Sequence, residues 1–462
     1  MKNLRVREAV TGWVAHSRRR VLSWFQDALF RRLLHNAGWL LSGTVVATAL
    51  TLGSTVIKAR VLGPPLFGVL AVITAYVAVV ERLATFQPWP ALIKYGAEAL
   101  ERQRPDEFMG LVKVSILLDF VGAVFAMALA VLGALALAGR WGWDSRVSGM
   151  AAVLGTGIFF NLSGTPTGVL RLLDRFRMFT AQTVLSAAFG LAGATAVYVA
   201  GGGIWGFVIV TLVSGIAGNL FLLGAGLLAL RQRGLLPHWR GPVTAWRPFL
   251  RFSGWSYATA AFNIPIRQLD IILVSALTSY ETTGIYKIIK QVCALLAGVA
   301  DPLYQAVYPQ FAAMVANQQD RKAARYAVRV GVIVTVAVGP AALVLAALSP
   351  WWLSLLFGRA FAIGWLALSV FLIITALSMS CVAIHPLFTA LGYVKESAIV
   401  LLVANGVYLV CAWWLTSAAG LLGLAVAYGV QSVLVVGLKV AYMYRDRPGR
   451  ARSRVPVAEM RA

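Results

Sequence analysis

Residues 115–138 read SILLDFVGAVFAMALAVLGALALA, an apolar run that only Asp119 interrupts. A helix needs about 20 apolar residues to cross the hydrocarbon core of a bilayer, so this run is long enough to span one. Residues 204–230, IWGFVIVTLVSGIAGNLFLLGAGLLAL, form a second such run without a charge. Barrel strands would instead alternate over about ten residues. The sequence therefore predicts an all-α integral membrane protein.

The composition of the whole chain agrees with this prediction. Of 462 residues, 60% are hydrophobic and only 13% are charged, whereas soluble proteins carry about a quarter charged residues. We divide the chain into twelve predicted transmembrane helices. They cover residues 37–58, 66–87, 114–138, 148–169, 179–200, 204–230, 252–277, 284–308, 327–348, 362–386, 396–417 and 420–443.

Basic residues are distributed unevenly between the two sides of the membrane. With the N-terminus in the cytoplasm, 30 of the 41 Lys and Arg residues fall in cytoplasmic segments and seven in spans. The four in loops on the other side are Arg60, Arg140, Arg146 and Arg359. Such a bias sets the orientation of membrane proteins during insertion. It predicts cytoplasmic N- and C-termini and accounts for the net charge of +24 without nucleic acid as a partner.

An internal repeat divides the chain in two. Gly38 and Gly254 open the first and seventh spans, each followed by Trp, and Gly68 and Gly284 enter the second and eighth. Both pairs are 216 residues apart. Because six spans separate the copies, both have the same orientation in the membrane. The sequence therefore predicts two six-helix lobes related by a pseudo-twofold axis along the membrane normal.

The predicted regions follow from this repeat. They are a basic cytoplasmic N-terminal segment (1–36), an N-lobe (37–230), a cytoplasmic linker (231–250), a C-lobe (251–444) and a basic cytoplasmic tail (445–462). The N-terminal segment is either an amphipathic helix on the inner leaflet, from Val21 onward, or a disordered tail. The linker arginines either stay solvated or meet anionic lipid headgroups.

Several short stretches resemble those of a known family. Ala59-Arg-Val-Leu-Gly-Pro64, followed by Leu66-Phe-Gly68, is similar to the ARxLGpxxfG signature of the polysaccharide-export family, the Wzx-type flippases of lipid-linked oligosaccharides. Further stretches that resemble this family are Asn36-Ala-Gly-Trp39, Asp270 with Gly284-Ile-Tyr286, and Leu355-Leu-Phe-Gly358. The family shares a superfamily with multidrug exporters and the peptidoglycan-precursor flippase.

The resemblance implies a fold and a function. Two lobes would surround a central cavity and work by alternating access. The substrate would be a short glycan on an undecaprenyl-type pyrophosphate, moved across the bacterial inner membrane for O-antigen, lipopolysaccharide, capsule or exopolysaccharide synthesis. Its partners would be membrane lipids and the polymerase and glycosyltransferases of the same pathway. We expect no enzymatic activity, no cofactor and no metal, since P-loop, HExxH, GxSxG and CxxC motifs are absent from the sequence.

Ionisable residues within the spans point to a binding site, because they are costly in lipid and usually face the bundle interior. In the outward half of the C-lobe, Arg267, Lys287 and Lys290 outnumber Asp270. Lys and Arg are the usual ligands of phosphate groups. The predicted substrate-binding residues are Arg267, Lys290, Lys287, Gln268 and Gln291. A structural alternative pairs Arg267 with Asp270 and a lysine with Glu281.

Other charged residues and prolines have predicted structural or gating roles. Glu81 and Arg82 form an interfacial pair, while Lys58 and Lys439 lie near helix ends and extend toward the headgroups. Asp119 lies inside span three, and Asp301 with Pro302 interrupts span eight as a cap or a gate. The prolines predicted to bend spans are Pro166, Pro265, Pro340 and Pro386; bending at Pro265 would swing Arg267.

Three rival functions stay open. A multidrug exporter of the same superfamily would favour buried acids, whereas this chain has excess buried cations. A polysaccharide polymerase or ligase would carry one large external loop, but the predicted external loops are short. A scaffold without transport would not require charges in the middle of its spans.

Overall fold

The computed structural model describes residues 28–136, 139, 142–240, 246–262, 266–298 and 300–445, which form seventeen α-helices and no β-strand. The N-lobe contains α1 (Ala28–Ala84), α2 (Trp89–Glu101), α3 (Pro105–Ala136), α4 (Ser145–Thr156), α5 (Gly164–Leu172), α6 (Arg177–Val199) and α7 (Ile204–Gln232). The C-lobe contains α8 (Trp246–Phe262), α9 (Ile266–Leu277), α10 (Tyr280–Ala297), α11 (Ala300–Ala316), α12 (Asp320–Ala347), α13 (Ser349–Leu356), α14 (Arg359–Ala362), α15 (Trp365–Ser380), α16 (Ile384–Ala390) and α17 (Val394–Arg445). The predicted interfacial helix largely precedes the described residues, and residues 446–462 of the tail lie outside them.

The twelve predicted spans are recovered from these helices. Eight described helices are long and apolar enough to cross a membrane. Two of them contain a kink, at Gly63 in α1 and at Gly420 in α17. A straight helix of 57 residues would measure about 85 Å, nearly three times the hydrocarbon thickness, so each kinked helix provides two spans. Span seven corresponds to α8 and α9, and span eight to α10 with the start of α11; the shorter apolar helices Gln268–Leu277 and Val307–Ala316 belong to α9 and α11. The predicted twelve-helix fold is confirmed.

The surface of α12 is that of a helix in lipid. Ala327 and Gly331 are buried, and a Cβ atom on Gly331 would collide with the Ser380 carbonyl oxygen of α15. Val332 and Val336, in contrast, are exposed. Helices associate in membranes through close approach of small residues and turn large apolar residues to the lipid tails. This helix follows that pattern.

The two glycines that mark the repeat meet each other in the fold. A Cβ atom on Gly68 would collide with the Tyr280 carbonyl oxygen and lie 3.0 Å from the Gly284 nitrogen. A Cβ atom on Gly284 would collide with the Pro64 carbonyl oxygen and lie 3.0 Å from the Gly68 nitrogen. Equivalent positions contact each other reciprocally only beside a twofold axis. The pseudo-twofold axis therefore passes between Gly68 and Gly284.

The fourth span of each lobe is broken. In the N-lobe α4 ends at Thr156 and α5 begins at Gly164, while in the C-lobe α15 ends at Ser380 and α16 begins at Ile384. Pro166 and Pro386 each lie two residues into the second helix, where the first turn tolerates a proline. The span is therefore interrupted just before each of these two prolines, whereas the sequence predicted a continuous helix that bends there. Helix α12, in contrast, continues through Pro340, and Pro265 lies outside the described residues.

We call the end of the bundle that carries Gly63 the Gly63 end, and the opposite end, which carries Leu236–Arg240, the linker end. The lobes are packed together at the Gly63 end. Arg60 donates hydrogen bonds to the carbonyl oxygens of Leu355 and Leu356 in α13, and the Phe67 and Phe361 rings meet edge to face with centroids 6.0 Å apart. At the linker end, helix α8 lies against α2 and α3 of the N-lobe, whereas α11 packs mainly on α12 and α16 of its own lobe.

Candidate functional site at the lobe boundary

Helices α9 and α10 bring the C-lobe charges together. Asp270 on α9 is only 5% exposed. Its Oδ1 atom lies 2.5 Å from the Lys290 Nζ atom, and its Oδ2 atom accepts a 2.6 Å hydrogen bond from the Tyr286 hydroxyl. Tyr286 and Lys290 are four residues apart and therefore share one face of α10, which is turned to α9. One of the predicted substrate-binding cations, Lys290, is thus neutralised by a carboxylate.

A second face of α10 is turned to α1 of the N-lobe. Lys287 and Gln291 are four residues apart on this face. Gln291 donates a hydrogen bond from Nε2 to Thr55 Oγ1, 3.1 Å away. Lys287 lies within electrostatic range of Lys58, which follows Thr55 by about one helical turn. Lys58, Lys287, Lys290 and Asp270 together form what we call the cation cluster, and it spans the boundary between the lobes.

The cation cluster carries excess positive charge. Among the described residues, no carboxylate forms an ion pair with Lys58 or Lys287, and both lysines are half-buried. Insertion scales place the cost of a cation in mid-membrane at roughly 2.5–3.5 kcal/mol. An anion that binds beside these two lysines would therefore be stabilised, since the neighbouring pair of Lys290 and Asp270 is already neutral.

The other predicted substrate-binding residues are placed as follows. Gln268 is half-buried on α9 and forms no hydrogen bond with another described residue. Arg267 and Asp301 belong to α9 and α11, but their side chains lie outside the described part of the structure. The alternative pairing of a lysine with Glu281 is wrong, because Glu281 is exposed and the acid that binds a lysine is Asp270. The predicted interruption of span eight near Asp301 is confirmed, since α10 ends at Ala297.

Two residues of this site were not predicted from the sequence. Lys58 was expected to extend toward the headgroups, yet it lies beside Lys287 at the lobe boundary. Tyr408 on α17 shares a hydrogen bond with Tyr286 and lies within electrostatic range of Asp270. One feature of the sequence could have indicated that Lys58 belongs to the site. Lys58 lies little more than a turn before the Gly63 kink, and Lys287 lies about two turns after the start of α10. Both lysines are therefore near the same end of the bundle.

The N-lobe holds two acids near the break of its fourth span. Asp119 on α3 accepts a 2.6 Å hydrogen bond from the backbone nitrogen of Thr165 in the first turn of α5. Glu81 accepts a hydrogen bond from Asn161 Nδ2, and Arg82 lies within electrostatic range without forming an ion pair. The Glu81–Arg82 pair is thus a proximity of opposite charges, and Asn161 is the direct hydrogen-bond partner of the Glu81 carboxylate. Asp119 satisfies a helix N-terminus, which favours a carboxylate.

Comparison with known proteins places the chain in a family. A family model described as "Polysaccharide biosynthesis protein" matches residues 57–364, about two thirds of the chain. The chain is also 33% identical over 174 residues to the inner membrane protein YghQ of Escherichia coli strain K12, a match that covers 37% of this chain and 48% of that protein. The chain thus matches about half the length of this relative.

Solved structures resemble the whole fold. The lipid II flippase MurJ in an inward closed conformation aligns with a TM-score of 0.67 at 13% identity, over 88% of this chain and 87% of MurJ. An inward-facing multidrug resistance MATE family transporter of the MOP superfamily aligns with a TM-score of 0.64 at 15% identity, over 89% and 96% of the two chains. The chain therefore belongs to the polysaccharide biosynthesis protein family and is a multi-pass membrane protein with the fold of MOP-superfamily transporters.

Proposed function

We propose that this protein is a flippase that moves a polyprenyl-pyrophosphate-linked oligosaccharide across the bacterial inner membrane by alternating access. The observation that carries this proposal is the pair Lys58 and Lys287, two lysines from opposite lobes that lie within electrostatic range of each other and form no ion pair with any described carboxylate. The proposal involves no covalent chemistry. The polymerase and glycosyltransferases of the same pathway are its proposed functional partners.

The charge of the site suits a pyrophosphate. An isolated charge in a low-dielectric medium costs tens of kcal/mol by Born estimates, so a diphosphate cannot enter lipid without counter-charges. Lys58 and Lys287 supply such charges, one from each lobe. Gln268 and Gln291 offer amide groups for phosphate or sugar oxygens. The polyprenyl chain needs no protein cavity, since it is soluble in the bilayer.

The packing of the lobes supports a direction of loading. The two lobes contact each other tightly at the Gly63 end, through Gly68 with Gly284 and through Arg60 with α13. The cation cluster is therefore shielded from that end. The excess of basic residues at the linker end supports a cytoplasmic location for this end, and both termini would then lie there too. The substrate would then enter from the inner leaflet, where cytoplasmic enzymes assemble such glycans.

A specific observation favours one rival function. Glu81 and Asp119 are carboxylates in the N-lobe interior without an ion pair to any described residue, and a transporter of cationic drugs would need such acids. Both, however, already accept hydrogen bonds, from Asn161 and from the Thr165 nitrogen. The two lysines of the lobe boundary have no such partner. The flippase proposal therefore accounts for more of the structure.

A leaflet assay tests the proposal. The full chain is reconstituted into vesicles with a fluorescent polyprenyl-pyrophosphate sugar, and the fraction that reaches the far leaflet is measured with a membrane-impermeant quencher. We expect K58Q/K287Q to slow flipping by about tenfold or more, because each lost charge removes a charge-assisted contact. K439Q is the matched control: Lys439 is also buried in a span, but it contacts His385 Nδ1 at 2.8 Å inside the C-lobe.

Two results would contradict the proposal. Flipping of the sugar lipid at the parental rate by K58Q/K287Q would remove the role of the lysines. Transport of an organic cation by the parent protein, abolished by E81Q or D119N, together with no movement of the sugar lipid, would favour the multidrug exporter instead.

A further inference from the structure

A cleft at the linker end is separated from the cation cluster, which lies toward the Gly63 end of the bundle. Its volume is about 480 Å³, and it is lined by Tyr95 of α2 and by Arg247, Pro248, Arg251 and Phe252 of α8. It lies where α8 of the C-lobe packs against α2 of the N-lobe. The proposed flippase mechanism assigns no role to this cleft.

The walls of the cleft are built from packed aromatic rings. Phe249 is fully buried beneath it. The Tyr95 ring lies 6.2 Å from the Phe249 ring and meets the Phe252 ring edge to face, with centroids 6.0 Å apart. The wall is therefore fixed by tertiary packing and presents an apolar surface that an acyl or prenyl chain can follow.

Three cations surround the mouth of the cleft. Arg247 and Arg251 are four residues apart and share one face of α8. The Lys94 ammonium lies 4.7 Å from the centre of the Phe252 ring, so α2 adds a third charge. Both arginines lie in the first two turns of α8, where the partial positive charge of the helix N-terminus disfavours cations. The arrangement is unfavourable until an anion occupies it.

The nearby acids are engaged elsewhere. Glu98 of α2 pairs with Arg102 at 2.8 Å, and Asp106 of α3 contacts His238 at 2.9 Å. Among the described residues, Lys94, Arg247 and Arg251 take part in no ion pair and no hydrogen bond of their side chains. Lys94 lies over the Tyr95 and Phe252 rings instead, and Arg247 lies over the Trp246 ring.

The depth of the cleft matches the headgroup region. Trp246 begins α8 and is exposed, as is Trp239 in the linker. Exposed tryptophans at the end of a span mark the boundary between hydrocarbon and headgroups. Arginine binds phosphate oxygens in a bidentate manner, and basic side chains at this depth attract anionic lipids.

We propose that the cleft between α2 and α8 binds the phosphate headgroup of an anionic amphiphile, with the charge held by Arg247, Arg251 and Lys94 and the chain lying along Tyr95 and Phe252. The site is separate from the cation cluster and does not depend on the proposed flippase activity. The chemistry it recognises is a phosphate group at the membrane surface, from either a membrane phospholipid or a free phosphate anion.

Lipid retention tests this site. The full chain is purified from phosphatidylcholine nanodiscs with and without phosphatidylglycerol, and the lipids that stay bound are counted by native mass spectrometry. We expect R247Q/R251Q to bind phosphatidylglycerol more weakly, by on the order of tenfold. The control R231Q/R233Q removes the same charge from the exposed end of α7 and should retain the lipid. K94Q provides a second variant that leaves α8 unchanged and should weaken binding by a smaller factor.

The outcomes separate the two sources of phosphate. Retention of phosphatidylglycerol that excess inorganic pyrophosphate does not displace indicates a lipid site; displacement by pyrophosphate indicates a site for the phosphate group itself. Either result supports the proposal if R247Q/R251Q loses the ligand and R231Q/R233Q does not. Equal retention by all variants, or an equal loss in both double variants, would overturn it.

Discussion

The two lobes carry carboxylates of equal burial with different partners. Asp119 in the N-lobe and Asp270 in the C-lobe are each 5% exposed. Asp119 accepts a hydrogen bond from the Thr165 backbone nitrogen, whereas Asp270 binds the Lys290 ammonium and the Tyr286 hydroxyl. One acid stabilises a helix end and the other belongs to a charged site. Equal burial of an acid therefore does not reveal its role; its partner does.

The repeat shows where the lobes diverged. Gly68 and Gly284, at an offset of 216 residues, kept the same residue type because the backbones touch there. The C-lobe charges have no such counterparts. At the same offset, Asp270, Lys287 and Lys290 correspond to Ser54, Ala71 and Thr74. Close backbone contact at the axis restricts the residue type to glycine in both copies. The side chains that line a cavity are under no such restriction and can differ between the copies.

The largest expected effect comes from the C-lobe acid. D270N removes the carboxylate that pairs with the Lys290 ammonium, and breaking a buried ion pair costs about 3–5 kcal/mol. The loss is measured as a fall in thermal stability in detergent. The double variant D270N/K290Q should recover much of it, since it removes both charges of the pair. A double variant as unstable as D270N would show that the pair does not stabilise the C-lobe.

The contact at the axis ranks second. In G68V the side chain meets the Tyr280 carbonyl and the Gly284 nitrogen, which cannot move aside without separating the lobes. Overpacking of this kind costs about 1–3 kcal/mol, and we expect lower thermal stability together with slower flipping. The control is G224V on α7, where a Cβ atom meets nothing within 4 Å. Equal stability of G68V and G224V would contradict the close approach of the lobes.

The N-lobe acid gives a smaller effect. In D119N the amide oxygen still accepts the hydrogen bond from the Thr165 nitrogen, and only the charged component of that bond is lost. The expected cost is about 1 kcal/mol, well below that of D270N, when both variants are unfolded under the same conditions. A cost equal to that of D270N would remove the distinction between the lobes.

The smallest change in stability has the opposite sign. K287Q removes an unpaired cation from the lobe boundary, so we expect a gain of about 0.5–1 kcal/mol, visible as a higher melting temperature. Flipping should fall at the same time, because the lost charge serves the substrate. A variant that is both less stable and less active would instead indicate a structural role for Lys287.

The sequence predicted the fold better than the site. Apolar runs predict the spans, because the length and composition of a run are local to one helix. The glycine repeat predicts the two lobes, because it compares positions along the chain and needs no knowledge of contacts. The prediction for Lys58 failed for a physical reason. The position of a residue in a span indicates its depth in the membrane, but it does not indicate which other helix lies opposite. Its neighbour Lys287 is 229 residues away and lies in the other lobe. The sequence also did not identify Lys290 as the partner of Asp270, because Arg267 is closer to Asp270 along the chain.

The most direct test of the central claim is a structure of the full chain with a bound polyprenyl-pyrophosphate oligosaccharide, at a resolution that locates the two phosphorus atoms. We expect the diphosphate at the lobe boundary, with its oxygens within ion-pair distance of the Nζ atoms of Lys58 and Lys287. A diphosphate bound elsewhere, with both lysines turned to lipid or held by carboxylates, would contradict it.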